Sequence, residues 1–195
     1  RSVFLPLAFE PAVLDLIPEP VERDIDVSFV GGLSGWQWEA GTKLLEAVAA
    51  LPAVQFYGYG HQNAPKAVRD RFRGPAWGNE MYSTYRRTKL VINRHGEISA
   101  GYSNNLRMFE STGCGAVLVT ERSKNLHDFF SSTEAVAYSG PEEAVYAIRG
   151  LLRNEPLRKQ IAENGQARTL RDHAYAQRMK VVSSTLMEML VGAAK

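Results

Sequence analysis

The sequence predicts an α/β fold, a mostly parallel sheet with helices on both faces. Three observations carry that prediction. Short apolar runs alternate with segments of helical spacing along most of the chain. Glycines cluster where the apolar runs end. The chain has 195 residues, 45% of them apolar, which is enough for one sizeable core.

Each element follows from its own residues. Residues 1–25 carry Pro6, Pro11, Pro18 and Pro20 and read as an extended or looped connector into the first strand. Residues 26–30 (DVSFV) form that strand, which ends at Gly31-Gly32. Residues 38–51 place apolar side chains at helical spacing, and Pro52 stops the helix. A second strand covers 54–59, with Gly58 and Gly60 at its end. Residues 64–72 read as a short helix broken by Gly74-Pro75. Asn79 suits the N-cap of a helix through Arg87, and residues 89–93 (KLVIN) form an apolar strand. Ser103 or Asn104 caps a helix over 105–112, Gly113 ends it, and 116–120 is a buried strand. Residues 135–138 add another strand. Pro141 occupies the first turn of a helix reaching about Leu152, where proline is tolerated. Helical segments near 155–166 and 172–190 close the chain. Right-handed crossovers between such strands make the sheet mainly parallel. The expected layout is a connector over 1–25, one domain over 26–171 and a C-terminal helix over 172–195.

Composition narrows the function classes. Charged residues are 23% of the chain and the net charge is +2. The densest basic stretch, Arg69, Arg71 and Arg73, is interrupted by Asp70 and suits a solvated face better than a nucleic-acid groove. A single cysteine, Cys114, excludes an internal disulfide, so a reducing cytoplasm is expected; between Gly113 and Gly115 it reads as a packing residue. No apolar run reaches the roughly 18 residues of a membrane span. No histidine, cysteine and carboxylate set has zinc spacing, so no metal is expected. The first residue is Arg1, not Met, the beginning expected of a piece of a longer protein.

Open parallel sheets bind ligands beyond the carboxyl ends of their strands. Behind the first strand come Gly31, Gly32 and Ser34; behind the second, Gly58, Gly60 and His61; behind KLVIN, Arg94, His95 and Glu97, then the 101–105 turn. The following helix start offers free N–H groups to an anion, and Tyr102, Ser103, Asn104 and Asn105 add side-chain donors. Glu110, two turns in, is placed to accept hydrogen bonds from a ribose diol. A diphosphate at the helix start and a pentose beside Glu110 describe a nucleotide. Trp77 suits stacking on its base, whereas Trp36 and Trp38 suit packing. Plainer readings stand beside these: turn glycines at 31 and 32, a surface carboxylate at 110, and ordinary partly exposed imidazoles at 61 and 95.

Several runs resemble a known family: 3–8 (VFLPLA) followed by Pro11, 26–31 (DVSFVG), 74–78 (GPAWG) with Tyr85 and Lys89, and 173–179. The most specific is 101–110 (GYSNNLRMFE) followed by 113–116 (GCGA). Together they resemble the C-terminal, donor-binding domain of GT-B glycosyltransferases, in the bacterial group 1 branch related to the spore-maturation enzymes. The resemblance implies a Rossmann-like lobe that holds a nucleoside-diphosphate-sugar donor without a further cofactor. Its partner would be an N-terminal acceptor-binding lobe, so this piece alone would bind donor weakly and not transfer sugar. Glu110 would match the second glutamate of the E-x7-E motif, which binds ribose, and the 103–105 turn would hold the diphosphate. The donor-binding set is then Gly31, Gly32, His61, Trp77, His95, Tyr102, Ser103, Asn104, Asn105 and Glu110; no catalytic residue is assigned.

Two departures stand out. Tyr102 occupies the position of the first glutamate, and residues 31–37 lack the basic residue many relatives use against the diphosphate. Lys43 is the nearest in sequence, and Arg107 compensates only if its helix faces the right way. A second reading follows from these departures, a non-catalytic binding or assembly module that has lost its donor. A nicotinamide-dependent enzyme ranks below both, because the GxGxxG spacing is absent after the first strand.

Overall fold

The computed structural model describes residues 2–20, 22–34 and 39–193. Six parallel strands form one sheet in the order β3-β2-β1-β4-β5-β6. They are β1 (Ile25–Gly32), β2 (Val54–Tyr59), β3 (Phe72–Gly74), β4 (Thr88–Asn93), β5 (Val117–Glu121) and β6 (Val136–Tyr138). The helices are α1 (Val13–Leu16), α2 (Glu39–Ala49), α3 (Lys66–Arg69), α4 (Asn79–Arg87), α5 (Leu106–Gly113), α6 (Leu126–Phe129), α7 (Pro141–Arg153), α8 (Glu155–Asp172) and α9 (Tyr175–Ala193). No described helix is long and apolar enough to cross a membrane.

Two buried clusters sandwich the sheet. One joins Val27, Phe29, Val54, Phe56, Leu90 and Ile92 to Leu44, Leu45 and Val48 of α2 and Ile148 of α7. The other joins Val30, Val91 and Leu118 to Tyr85 of α4, Met108 and Phe109 of α5, and Phe9. Alternate residues of β1 and β4 thus enter opposite clusters, as the period-2 geometry of a strand requires. Cys114 is buried in the second cluster, which pushes its thiol up to about 12.

Residues 1–25 were expected to be extended or looped, and among those described only α1 is regular. The segment is nevertheless stitched onto the domain. Phe9 donates its N–H to the His173 carbonyl and accepts the Tyr175 N–H, both at 2.9 Å. Arg178 donates to the carbonyls of Pro6 and Leu7. Phe9 also lies so close to α5 that a Cβ on Gly113 would come within 2.5 Å of its ring.

The structure corrects several element boundaries. The helix expected over 64–72 is a single 3-10 turn at His61–Asn63, then α3, then the edge strand β3. Gly78, not Asn79, caps α4, and Asn79 is the first helical residue. Asn105, not Ser103 or Asn104, caps α5: its Oδ1 accepts the Met108 N–H at 3.3 Å. The expected helices at 155–166 and 172–190 are α8 and α9, divided at His173 and Ala174. Imidazole Nε2 of His173 donates to the Phe129 carbonyl at 2.9 Å, fixing that break in the interior. The packing expected of Trp36 and Trp38, and the stretch from 35 to 37, lie outside the described residues.

Candidate functional site

The strand order reverses between β1 and β4, where chain connections leave the sheet in opposite directions. Recorded pairing between them covers Ile25 with Thr88, Val27 with Leu90 and Ser28 with Val91, and stops there. The last residues of β1 pair only with β2, Gly31 with Gly58 and Gly32 with Tyr59. The carboxyl halves of β1 and β4 therefore splay. A cavity of about 190 Å³ opens between them, lined by Phe29–Gly32, Tyr59, Ile92–Gly96 and Arg107.

Splaying leaves β1 carbonyls without strand partners, and buried carbonyls need donors. Two arginines supply them. Arg107 Nε donates to the Val30 carbonyl at 3.1 Å, and Arg94 Nη2 to the Gly32 carbonyl at 2.8 Å. Residues 30 and 32 have the same parity, so both carbonyls face the gap. The Arg94 guanidinium lies over the Phe29 ring at 5.5 Å, and its Nη1 is buried without a hydrogen-bond partner. Its course depends on Gly41 of α2, where a Cβ would fall 2.0 Å from Nη1. Arg107 is held from behind: Nη1 donates to Glu110 Oε2 at 2.9 Å, and the Tyr82 hydroxyl donates to Oε1 at 3.3 Å. Glu110 is only 5% exposed, so the surface reading of this carboxylate does not hold. Two guanidinium groups thus converge on the switch point, where the sequence showed no basic residue in the loop.

His95 links this cavity to a second one. Asn105 uses its Oδ1 on the helix, so its Nδ2 faces His95 Nδ1, 3.1 Å away. Nδ1 is then an acceptor, and the imidazole proton lies on Nε2, beside Ser103 Oγ at 2.9 Å and Thr120 Oγ1 at 3.3 Å. Burial lowers the His95 pKa to about 4, so the ring is neutral near pH 7. Its backbone N–H donates to Glu121 Oε2. The second cavity, about 250 Å³, lies on the β5–β6 side and shares His95 and Gly96 with the first.

The structure brings Gly31, Gly32 and His95 to the first cavity, and His95 and Tyr102 to the second. Glu110 reaches the first only through Arg107. Ser103 is fully buried: Asn125 takes its N–H, and its hydroxyl is engaged by His95 and Ser123. Asn104 Oδ1 accepts the Leu7 N–H, so that side chain ties down the N-terminal segment. Asn105 is spent on the cap and on His95. The side chains of the 103–105 turn are thus engaged within the protein, and Arg94 and Arg107 bring positive charge to the first cavity. His61 stacks on Phe72 with ring centroids 4.1 Å apart and lines neither cavity. Trp77, 56% exposed, stacks on Tyr59 at 5.7 Å and extends an aromatic ledge from the first cavity's rim. Arg94 was named behind the KLVIN strand but left out of the donor-binding set, and Glu121 was missed. Each directly follows or ends an apolar strand, and that position was the available signal.

A doubly wound parallel sheet with a cationic cavity at its switch point places the chain in the Rossmann-like class of α/β lobes. More specifically, it belongs to the glycosyl transferase-like family, whose model matches residues 39–183, and its fold is that of a GT-B lobe. Among solved structures it is similar to sucrose-phosphate synthase from Thermosynechococcus elongatus. That match has a TM-score of 0.70 and 15% identity, covering 99% of this chain and 53% of that one. It is also similar to HepE of Anabaena in complex with UDP, with a TM-score of 0.72 and 14% identity, covering 93% and 56%. HepE has likewise been solved in complex with UDP-glucose. A third likeness is to the C-terminal domain of a glycosyl transferase group 1 family protein, LpcC, from Francisella tularensis. Its TM-score is 0.58 at 14% identity, over 88% of this chain and 96% of that one. At such identities these are likenesses of fold. The chain spans about half the length of the first two proteins. No curated protein matches the sequence.

Proposed function

We propose that this lobe binds the nucleoside-diphosphate sugar from which a glycosyltransferase transfers its sugar. The observation that carries the reading is the pair Arg94 and Arg107 at the splayed ends of β1 and β4. A diphosphate there would lie against Gly31 and Gly32, which carry no side chain of their own and have the Phe29 and Tyr59 rings beside them. In the transfer, the bond from the anomeric carbon to the diphosphate oxygen breaks and its electron pair leaves with the diphosphate. The acceptor oxygen bonds to the anomeric carbon, and its proton passes to a base on the acceptor side. The two guanidinium groups sit where the leaving charge grows, the form of stabilisation that lowers such a barrier most directly. Glu110 acts as a positioning residue, holding Arg107 toward the cavity. The Tyr59–Trp77 ledge offers a stacking surface for the base. The UDP complex of HepE, a protein of the same fold, supports the choice of ligand class.

The acceptor side belongs, in this reading, to a second lobe. Helix α9 exposes Met179, Leu186 and Leu190 along one stripe, a face suited to packing against it. The 195-residue chain would then bind donor without transferring sugar. Calorimetry with UDP, GDP and dTDP and their hexose conjugates tests the reading. One nucleotide series should give saturable heat, and Arg107→Gln should weaken it about tenfold, the scale of one charge-assisted hydrogen bond. The engaged side chains of the 103–105 turn favour the second reading, a module without donor binding. Silence from the whole panel would select it.

A further inference from the structure

The N-terminal segment and α9 meet at one buried imidazole. His173 stands between α8 and α9, with the rings of Phe109, Phe129 and Phe130 around it at centroid distances of 5.1, 5.9 and 5.5 Å. Its partners fix its protonation. The Phe129 carbonyl can only accept, so Nε2 carries the proton. The Arg178 guanidinium can only donate, so Nδ1, 3.0 Å from Nη2, carries none. Arg178 is itself buried and gives its donors to backbone as well: Nε to the Pro6 carbonyl at 3.0 Å, Nη2 to Leu7 at 3.2 Å and Nη1 to Asp172 at 3.0 Å. One guanidinium therefore responds to His173 and holds the N-terminal segment. Beside it, Phe9 forms its bridge to Ala174 through the His173 carbonyl and the Tyr175 N–H.

We propose that His173 is an acid-sensitive latch: a proton added at Nδ1 dislodges Arg178 and with it the hold of α9 on the N-terminal segment. Protonated Nδ1 changes from acceptor to donor, so it meets another donor, and two cations then face each other in the interior. The groups around the ring disfavour that state. Arg178 approaches from α9, and Arg168 of α8 donates its Nε to the same Phe129 carbonyl at 3.1 Å. Asp172 of α8 opposes them, but its carboxylate already serves Arg168 at 3.2 Å and Arg171 at 2.7 Å. From α5 and α6 come phenyl rings, and from the N-terminal segment backbone. Burial, reinforced by Arg178 and Arg168, holds His173 below the ordinary histidine value against the Phe129 carbonyl and Asp172. The latched form thus binds fewer protons than the released one, so the latch weakens as pH drops below that value and is unaffected above it. This inference stands on the fold and does not depend on the donor-binding reading.

Amide exchange followed by NMR on the 195-residue chain tests the latch. The N–H groups of Phe9 and Tyr175 close the bridge and report its opening, while amides of β4 and β5 report the core. From pH 6 to pH 5 the protection of Phe9 and Tyr175 should fall by up to about tenfold, the weight of one proton, with β4 and β5 unchanged. His95 titrates at about 4, below this interval. His173→Asn keeps an acceptor for Arg178, leaves the Phe129 carbonyl to Arg168 and does not titrate, so it should remove the pH dependence. A dependence that persists in His173→Asn overturns the latch, as do bridge amides in the native chain that stay protected until β4 and β5 open. The Hε1 shift of His173 in the native chain gives a check that needs no variant: titration at or above the ordinary histidine value overturns the proposal, and titration below it supports it.

Discussion

His95 and the Arg107–Glu110 pair show how single residues organise this site. The unfolded chain takes up a proton on His95 near the ordinary histidine pKa, whereas the folded chain resists down to about 4. Between those values the unfolded state binds more protons, so stability falls as pH drops through that window and is unaffected by His95 above it. Urea unfolding of the native chain and of His95→Gln should therefore diverge less at pH 4.5 than at pH 7, because the variant lacks this acid penalty. Arg107 answers a different question. Removing it leaves the Glu110 carboxylate enclosed without its cation, which costs about 2–3 kcal/mol, the lower end for such a pair because Arg107 is partly exposed. Arg107→Ala should show that loss in denaturant titration, and adding Glu110→Gln should recover part of it. The sequence made Glu110 and His95 candidates through their spacing from strand ends. It did not reveal that the side chains of Ser103, Asn104 and Asn105 are engaged by residues elsewhere in the fold, because a polar turn reads the same whether its donors face a ligand or the interior.

At the scale of elements, α2, α5 and α7 and the main strands were legible because each buries a periodic face, and α9 was legible from its length and composition although its apolar side chains are exposed. The three-residue β3 and four-residue α6 were not, because pairing and packing hold them and they are too short to show a period. Two glycines expose the tolerances between elements. Gly41→Ala should raise the intrinsic stability of α2 by up to about 1 kcal/mol on propensity alone. Its methyl would nevertheless occupy the path of Arg94, so nucleotide affinity should fall while the isolated helix gains. A variant that binds as tightly as the parent would show that Arg94 has another route. Gly113→Ala forces a methyl into the Phe9 ring and should cost about 1–3 kcal/mol, as overpacking does. Phe9→Leu in the same chain should relieve part of that cost, measured by thermal unfolding of the single and double variants.

For the molecule as a whole, alternating strands and helices foretold the parallel sheet and its two helical faces. The strand order did not follow from the pattern, and with it went the place where β1 and β4 part, because local periodicity carries no information about which strands neighbour one another. Exposure patterns make a further prediction: Leu186→Glu with Leu190→Glu on α9 should change the unfolding free energy of the 195-residue chain by under about 0.5 kcal/mol per site, since both side chains already face solvent. The parting of β1 from β4 has a mechanical corollary. Beyond Ser28 and Val91 the two strands have guanidinium groups between them in place of a backbone ladder, so an occupant bound there becomes a rivet between the halves of the sheet. Amide exchange at Val30, Gly32 and Asn93 should slow together when the seam is filled, even though these residues belong to separate strands.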